Sequence, residues 1–392
     1  MMNKYFATCP RGLETLMAEE FSGFGAQYLR TVPGGLHFSG DWAVCYRANL
    51  HSRLASRILW HIAQRGYTRE EDIYKLALEQ DWPAHFGVTK TIRVLTTATK
   101  SPLRSIDFVT LRVKDAICDR FRAQGGERPS VDTREPDVRI HVHLTETDCT
   151  LHLDTSGAPL WQRGLRHSSV DAPLKENLAA GILMLSGWEP GSTLYDPMCG
   201  SGTFVLEAIQ MALDRAPGLG RGFGFEKLSS FDAMAWARLR SDAEARCKPL
   251  EELPIFASDN DPKAVRATKR NLQEAGLGGV AEVIEADILD VEPPSGGGGT
   301  LIANPPYGER LGEAEELAAF YPQLGSVLKK RFAGWNCFFF TADTQFPKGI
   351  GLKPSRKTPL FNGALECRLY EVRMVAGSNR KDALPSVSGD GG

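Results

Sequence analysis

Long apolar runs are missing from this 392-residue sequence: no stretch reaches the ~20 residues that span a bilayer, and the N-terminus carries no signal-peptide pattern. A soluble, cytoplasmic protein with no membrane partner is therefore expected. Cysteine is sparse and scattered. None of the eight cysteines forms a Cys-x-x-Cys pair, which favours reduced, buried thiols over a zinc site or a disulfide framework. Net charge is nearly absent at −2, which excludes a histone-like nucleic-acid binder. The charge is unevenly spread, however: residues 1–170 hold 22 Lys and Arg against 19 Asp and Glu, and the remainder holds 24 against 29. The N-terminal half is thus the expected phosphate-facing part. No internal repeat is present, and the Gly/Ser-rich residues 377–392 are expected to be disordered.

A third glycine is missing as well. Asp196-Pro197-Met198-Cys199-Gly200-Ser201-Gly202-Thr203 falls between a strand (Ser192 to Tyr195) and an apolar-periodic helix (Thr203 to Leu213), the position of a nucleotide-binding turn. It lacks the full G-x-G-x-x-G fingerprint of a dinucleotide site. Gly200 and Gly202 let the backbone approach a ligand closely, and Thr203 can cap the helix. Asp196 would repel a pyrophosphate, so a ligand with an ammonium group and no phosphate fits better, and S-adenosylmethionine is such a ligand. Cys199, within the turn, has no base nearby in sequence and reads as packing. A second strand, Ile255 to Ser258, ends at Asp259-Asn260-Asp261, where an acid suits ribose hydroxyls. A third, Ala281 to Ala286, ends at Asp287, which can take an adenine amine or serve as a solvated loop acid. Asp196 and Asp259 lie further apart than the ~20 residues of a minimal unit. The insertion is Gly218 to Cys247, with a glycine-rich turn and a helix over Ser230 to Arg246 that either lines the substrate cleft or pads the sheet.

Asn304-Pro305-Pro306-Tyr307 follows the short apolar strand Thr300 to Ala303, about a hundred residues after the glycine-rich turn. Alone, such a tetrapeptide can be a rigid turn. At a strand's carboxyl end it has a chemical reading. The lone pair of an exocyclic nucleobase amine is delocalised into the ring. The Asn304 side-chain carbonyl and the Pro305 backbone carbonyl can each accept one N–H, favouring a pyramidal nitrogen aimed at a methyl donor. The prolines hold both acceptors still, and Tyr307 offers a ring on which an extruded base stacks. The motif also serves adenine-N6, cytosine-N4 and protein glutamine methylation, and a silent RNA-binding assembly factor could retain the fold.

Along the chain, residues 1–65 read as alternating strands and helices: Lys4 to Thr8 and Gly35 to Ser39 extended, Leu13 to Phe21 and Asp41 to Ala63 helical. Residues 66–155 contain a strand, Thr91 to Thr97, and an amphipathic helix, Ser105 to Arg122. They end in a hairpin of Val138 to Thr145 against Cys149 to Asp154. His141, His143 and His152 alternate on that hairpin without a thiolate or carboxylate in the pattern, so no metal site is expected. Residues 156–185 form a linker with Arg163 and Arg166 placed to contact phosphate. Its helix, beginning near Glu176, either closes the pocket or covers the sheet. From residue 186 to 376 the β-α alternation implies a Rossmann-like doubly wound sheet whose late strands are Cys337 to Thr341 and, antiparallel at the edge, Leu365 to Val375.

Taken together, Asp196 to Thr203 and Asn304-Pro305-Pro306-Tyr307-Gly308-Glu309-Arg310 resemble the THUMP-containing class I S-adenosylmethionine-dependent RNA guanine-N2 methyltransferases, over roughly residues 3–376. Asn49-Leu50-His51-Ser52-Arg53 and Ser101-Pro102-Leu103-Arg104-Ser105 are similar to stretches of that family's N-terminal modules. The resemblance implies an α/β protein: an α+β ferredoxin-like module (1–65), a THUMP domain (66–155) and a class I methyltransferase domain with its last strand antiparallel (186–376). It implies a cofactor set of Asp196, Cys199, Gly200, Gly202, Thr203, Asp259, Asn260 and Asp287, and an amine-handling set of Asn304, Pro305 and Tyr307. Arg53, Arg104, Arg163, Arg166 and Arg310 are the implied RNA-side cations. The implied partner is RNA, 23S rRNA or a large-subunit assembly intermediate. Some family members carry a second, fused methyltransferase that makes 7-methylguanine; one catalytic domain is visible here, and the resemblance implies the N2 activity alone.

Overall fold

The computed structural model describes residues 2–164, 174–294, 297–306 and 313–375, with the side chains of 313–315 left aside. The N-terminal half is built from β1 (Asn3–Thr8), α1 (Glu14–Gly23), β2 (Gln27–Val32), β3 (Gly35–Gly40), α2 (Trp42–His51), β4 (Arg57–Gly66), α3 (Glu70–Leu78), α4 (Trp82–His85), β5 (Ile92–Ala98), α5 (Ile106–Gly125), β6 (Val138–Leu144) and β7 (Asp148–Asp154). Its seven strands form one sheet in the order β2-β3-β1-β4-β7-β6-β5. The long strand β4 pairs antiparallel with β1 on one side and with β7 on the other. The ferredoxin-like and THUMP segments therefore share a sheet.

That strand corrects the helix expected over Asp41 to Ala63. The helix starts as expected, with the Asp41 carboxylate accepting from the Val44 N–H at 2.9 Å, but stops at His51 with Ser52 extended. The alternation Ile58, Trp60, Ile62 then takes over at period two. β2 also went unrecognised in the sequence, because a bulge between Gln27 and Arg30 breaks its alternation.

The C-terminal half comprises α6 (Glu176–Ser186), β8 (Leu194–Asp196), α7 (Thr203–Ala212), α8 (Ala233–Ala245), β9 (Ile255–Asp259), α9 (Pro262–Glu274), β10 (Glu282–Glu285), β11 (Thr300–Ala303), α10 (Glu313–Arg331), β12 (Asn336–Thr341), α11 (Phe346–Gly349), β13 (Arg356–Asn362) and β14 (Leu365–Arg373). Its sheet order is β10-β9-β8-β11-β12-β14-β13, with β10 through β12 parallel and β14 antiparallel to β12. The antiparallel strand is present, but it is not at the edge: β13 lies outside it. β13 contains Pro359, which lacks the N–H of a central strand and is tolerated at a sheet margin.

Apolar faces join the two halves. One buried cluster runs from Tyr5, Phe21 and Phe38 through Leu178 and Val205 to Ile302 and Leu369. A second, including Tyr195, Leu324, Phe332 and Trp335, fills the other side of the catalytic sheet. The insertion does more than pad the sheet, because it reaches the N-terminal half. Its 3-10 turn, Gly224–Lys227, seats against the end of β7, where a Cβ on Gly224 would stand 2.6 Å from the Asp154 carbonyl. The Phe225 N–H donates to Thr155 O at 2.9 Å, the Asp232 N–H to the Tyr46 hydroxyl at 2.9 Å, and the Gly218 N–H to Leu50 O at 2.9 Å. The insertion is a fastener between catalytic and N-terminal halves.

Candidate active site

Strand order places the site. β8 and β11 are neighbours although the chain between them runs out through β9 and β10, so the order reverses at this pair. Open α/β sheets bind ligands beyond the carboxyl ends of the strands at such a switch point. Asp196 ends β8, and Asn304 directly follows β11; Leu301 pairs with Tyr195, which brings both ends to one cleft. Asn304 is half-buried, Pro305 buried and Pro306 exposed. Tyr307 and Arg310 lie outside the described residues, as does Arg166.

The turn after β8 is held from two directions. Gly200 and Gly202 both have positive φ, 56° and 81°, which glycine adopts without penalty. The Gly200 N–H donates to Asp259 Oδ2 at 2.9 Å, and the Asp261 N–H to Asp259 Oδ1 at 3.0 Å, so this carboxylate ties the turn to the end of β9. From α9, Thr268 Oγ1 donates to Gly200 O at 2.9 Å, and Asn271 Nδ2 to Ser201 O at 3.0 Å. Residues three apart share a helix face, and that T-x-x-N spacing was the sequence signal for these fasteners, which had gone unread. Thr203 is not the cap: Gly202 occupies that position, and Thr203 is the first helical residue. Asp261 caps α9 through the Lys263 N–H at 2.8 Å. Asn260 is exposed at the bend between them. Asp287, beyond β10, accepts from the Leu289 N–H at 2.9 Å and borders an open cleft of about 600 Å³ against α10.

Charge at the turn is concentrated. Asp196 is buried and accepts one backbone bond, from the Met198 N–H at 3.2 Å. Burial, with the Asp259 carboxylate adding to it, holds the Asp196 carboxyl well above its ordinary range; burial also raises Asp259. Burial pushes the Cys199 thiol up, so it is a packed, protonated group, with Thr268 Oγ1 3.6 Å from its sulfur. Two carboxyls at the turn, and a Gly200 N–H already donated to one of them, do not suit a phosphate. They suit a ligand with a cationic centre and hydroxyls.

Two of the expected RNA-side cations are corrected. Arg53 is turned inward: its Nη2 donates to Arg215 O at 2.7 Å and Gln210 O at 3.1 Å, and its Nη1 lies 3.8 Å from Glu207 on α7. Arg163 Nε lies 2.7 Å from Glu207 Oε1, and its Nη2 donates to Arg53 O at 2.8 Å. Both are bound into a buried cluster and present no guanidinium to a phosphate. Arg104 is exposed in the loop between β5 and α5. On the hairpin, His141 Nε2 lies 3.3 Å from Asp154 Oδ2, and no group of three or more metal-ligating side chains is assembled among the described residues.

Two expectations follow. Gly202→Val should weaken cofactor binding by at least tenfold in calorimetry. The physical reason is the clash of its Cβ with Thr268 Cγ2 at 2.8 Å and a φ unsuited to a branched residue, rather than a side chain entering the ligand space. Unchanged affinity would detach the turn from the cofactor. Asp196→Asn should stabilise the cofactor-free protein at pH 8. A carboxyl whose folded pKa is raised contributes its stability below its unfolded pKa and loses it as pH rises through the folded one. The neutral amide removes that loss, so the gain in melting temperature should shrink at pH 4; an equal gain at both pH values contradicts a raised carboxyl.

The parallel sheet with an antiparallel β14, and the acidic glycine turn at its switch point, define a class I S-adenosylmethionine-dependent methyltransferase behind an N-terminal α+β half. Comparison with known proteins agrees. Residues 163–371 match the UPF0020 model, the RMKL-like methyltransferase domain; residues 67–154 match the THUMP domain, and 4–59 the RlmL ferredoxin-like domain. The chain belongs to the UPF0020 family of RMKL-like methyltransferases, with THUMP and RlmL ferredoxin-like domains ahead of the catalytic one. A Synechocystis sp. protein provisionally named an RNA methyltransferase is 40% identical over 94% of this chain and 96% of its own length. The ribosomal RNA large subunit methyltransferase K/L of Shewanella frigidimarina is 40% identical over 97% of this chain, which spans 54% of that longer protein. A protein described as a methyltransferase and crystallised with S-adenosylhomocysteine superposes with a TM-score of 0.87 at 28% identity, covering 96% of this chain and 99% of its own. A Listeria monocytogenes protein described as an N6-adenine-specific DNA methylase superposes at 0.85 with 29% identity, covering 95% and 97%. S-adenosylmethionine is the methyl donor.

Proposed function

We propose that this protein transfers the methyl group of S-adenosylmethionine to the exocyclic N2 amine of a guanine in RNA, in 23S rRNA or a large-subunit assembly intermediate. The observation that carries the reading is Asn304-Pro305 directly beyond β11, across the switch point from the acidic turn, in a chain whose other half is a THUMP domain. The cofactor supplies an electrophilic methyl. The chain's own residues do the rest. The Asn304 side-chain carbonyl and the Pro305 carbonyl accept the two amine N–H groups, which directs the nitrogen lone pair at the methyl as positive charge develops there. Asp259 would hold the ribose hydroxyls while fixing Gly200, Asp287 would take the adenine side, and Asn260 after β9 and Thr203 after the turn would complete the set. Pro305 is held by the ring constraint of its own residue and of Pro306.

Paired guanine keeps its N2 amine in the minor groove, out of line for transfer, so the base has to be extruded. Tyr307 is the stacking ring proposed for it, with Arg104, Arg166 and Arg310 as RNA-side cations. Tyr307→Phe should keep most single-turnover activity, and Tyr307→Ala should lose stacking of about 1–3 kcal/mol. Equal damage in both would assign the function to the hydroxyl instead.

The DNA adenine-N6 description of the Listeria relative keeps that amine as the second reading; the THUMP domain ahead of the catalytic one favours RNA. The test is tritium transfer from labelled donor to rRNA from a strain lacking the protein, followed by nucleoside analysis. Label in N2-methylguanosine is expected. Label in N6-methyladenosine, or in protein, overturns the proposal.

A further inference from the structure

The seven strands of the N-terminal sheet contain two acidic residues, Asp148 and Asp154, both on β7, against Lys4, Arg30, Arg57, Arg65, Arg93 and Arg139. They also contain five of the chain's eight histidines. Register assigns these groups to faces, because directly paired residues point the same way. Tyr5, Phe38, Ile140, Val142, Leu151 and Leu153 are buried among the helices. Their alternates form the other side. There, Arg30 pairs with His37, His37 with Phe6, and Phe6 with Leu59. A parallel row runs from His61 to His152 to His141 to Leu95, and Arg139 stands beside Arg93.

This side has charged ends and a neutral middle. Arg30 on the edge strand β2 and Lys4 two strands in, on β1, are exposed; toward the other end lie Arg139 on β6 and Arg93 on the edge strand β5, Arg93 about 29 Å from Arg30 across six strand spacings of ~4.8 Å. Of the two acids, Asp154 is buried against Arg57 and His141, so it opposes no incoming anion. Between the ends, ring centroids are 4.7 Å apart for Phe6 and His37, 6.5 Å for Phe6 and His152, and 5.7 Å for His61 and His152. Burial keeps His37, His61 and His143 below their ordinary range and brings His152 to about 3, so the middle offers uncharged rings. His152, 5% exposed at the centre, has an Nδ1 with no hydrogen-bond partner among the described residues. At the β2 margin, the bulge places Tyr28 at φ 52° with 78% of its surface exposed. A bulky residue in the left-handed region is an outlier, and bulges re-aim side chains.

We propose that this side of the N-terminal sheet is the docking surface for an unpaired stretch of RNA. Lys4 and Arg30 toward one end and Arg93 and Arg139 toward the other take phosphates; Phe6, the imidazoles and Tyr28 take sugars and bases. Charge complementarity selects a polyanion, and the uncharged aromatic middle selects unpaired nucleotides, whose bases stack on such rings, over a duplex, whose base faces are stacked on one another. The inference rests on the functional reading above and adds where the RNA lies.

The test uses the full chain and two fluorescein-labelled probes, a 20-nucleotide oligouridylate and an RNA duplex of that length, read by anisotropy across a salt series. The double variant Lys4→Glu/Arg30→Glu should bind the oligouridylate at least tenfold more weakly and flatten the salt dependence by about 1.4, two phosphates at ~0.7 each. Its affinity for S-adenosylmethionine should match the wild type, which verifies the fold. Tyr28→Ala should weaken the oligouridylate roughly tenfold with the salt dependence unchanged. Wild-type affinity and slope in the double variant overturn the proposal, as does a preference for the duplex or equal competition by polyglutamate, which would assign the face to an acidic protein. If wild-type protein methylates RNA while the variants bind normally, the docking face alone falls; if wild-type protein methylates no RNA, the functional reading falls first.

Discussion

Asn304→Ala should lower the methylation rate by about 10²- to 10³-fold, roughly 2.7–4 kcal/mol of transition-state stabilisation, while S-adenosylmethionine binds with wild-type affinity. The separation follows from position. Asn304 begins after β11, whereas the bonds that shape the cofactor turn come from β9 and α9, through Asp259, Thr268 and Asn271. Truncating the amide leaves that framework untouched. Single-turnover rates and calorimetry on the same preparation check both halves of the expectation. Loss of affinity in step with loss of rate would place Asn304 among the cofactor residues and remove it from amine chemistry.

Glu207→Ala should destabilise the whole protein by about 3–5 kcal/mol, the scale for removing one partner from a buried ion pair. Glu207 is buried on α7 and faces two guanidiniums, Arg163 at 2.7 Å and Arg53 at 3.8 Å. Arg53 is itself tied to the N-terminal half, since its backbone N–H donates to Glu20 Oε1 at 2.7 Å. Burial raises the Glu207 carboxyl against the pull of Arg163 and Arg53 and lowers Arg53, the signature of charges that depend on one another. Deleting the carboxylate strands two buried cations. Urea midpoints followed by fluorescence provide the measurement, and a loss below about 1 kcal/mol would mean the cluster is solvated. Because the cluster bridges the halves, separate fragments cut near residue 155 would each expose it. The division of labour between halves is better tested by surface variants of the intact chain.

The cofactor turn was legible because its requirements are local: glycines at positive φ and an acid at a strand end are written in eight consecutive residues. The strand before Asn304 was legible for the same reason, three apolar residues in a four-residue run with a proline pair just beyond. Arg53 and Arg163 were misread because an exposed and a buried arginine look alike in sequence, and the acid that captures both, Glu207, lies 154 and 44 positions away in a helix otherwise apolar in period. β13 was hidden by Pro359, which counts against a strand unless the strand is known to be marginal. The insertion was placed correctly between Asp196 and Asp259, but its purpose depended on Phe225 meeting Tyr46 at 4.6 Å, a contact between residues 179 apart.

The strand β4, shared by both N-terminal modules, has a consequence for target choice. Among the described residues, its two flanking ladders and the seated turn at Gly224–Lys227 tie the ferredoxin-like segment, the THUMP segment and the catalytic sheet together. A molecule jointed this way works as a caliper. On the proposed reading, the gap between the strand ends at Asn304 and a grip on the N-terminal half is set at folding, and a nucleotide would be chosen by its reach from an anchoring feature of the RNA. Shortening or lengthening the RNA between anchor and target by a few nucleotides should silence methylation without changing the base that is presented.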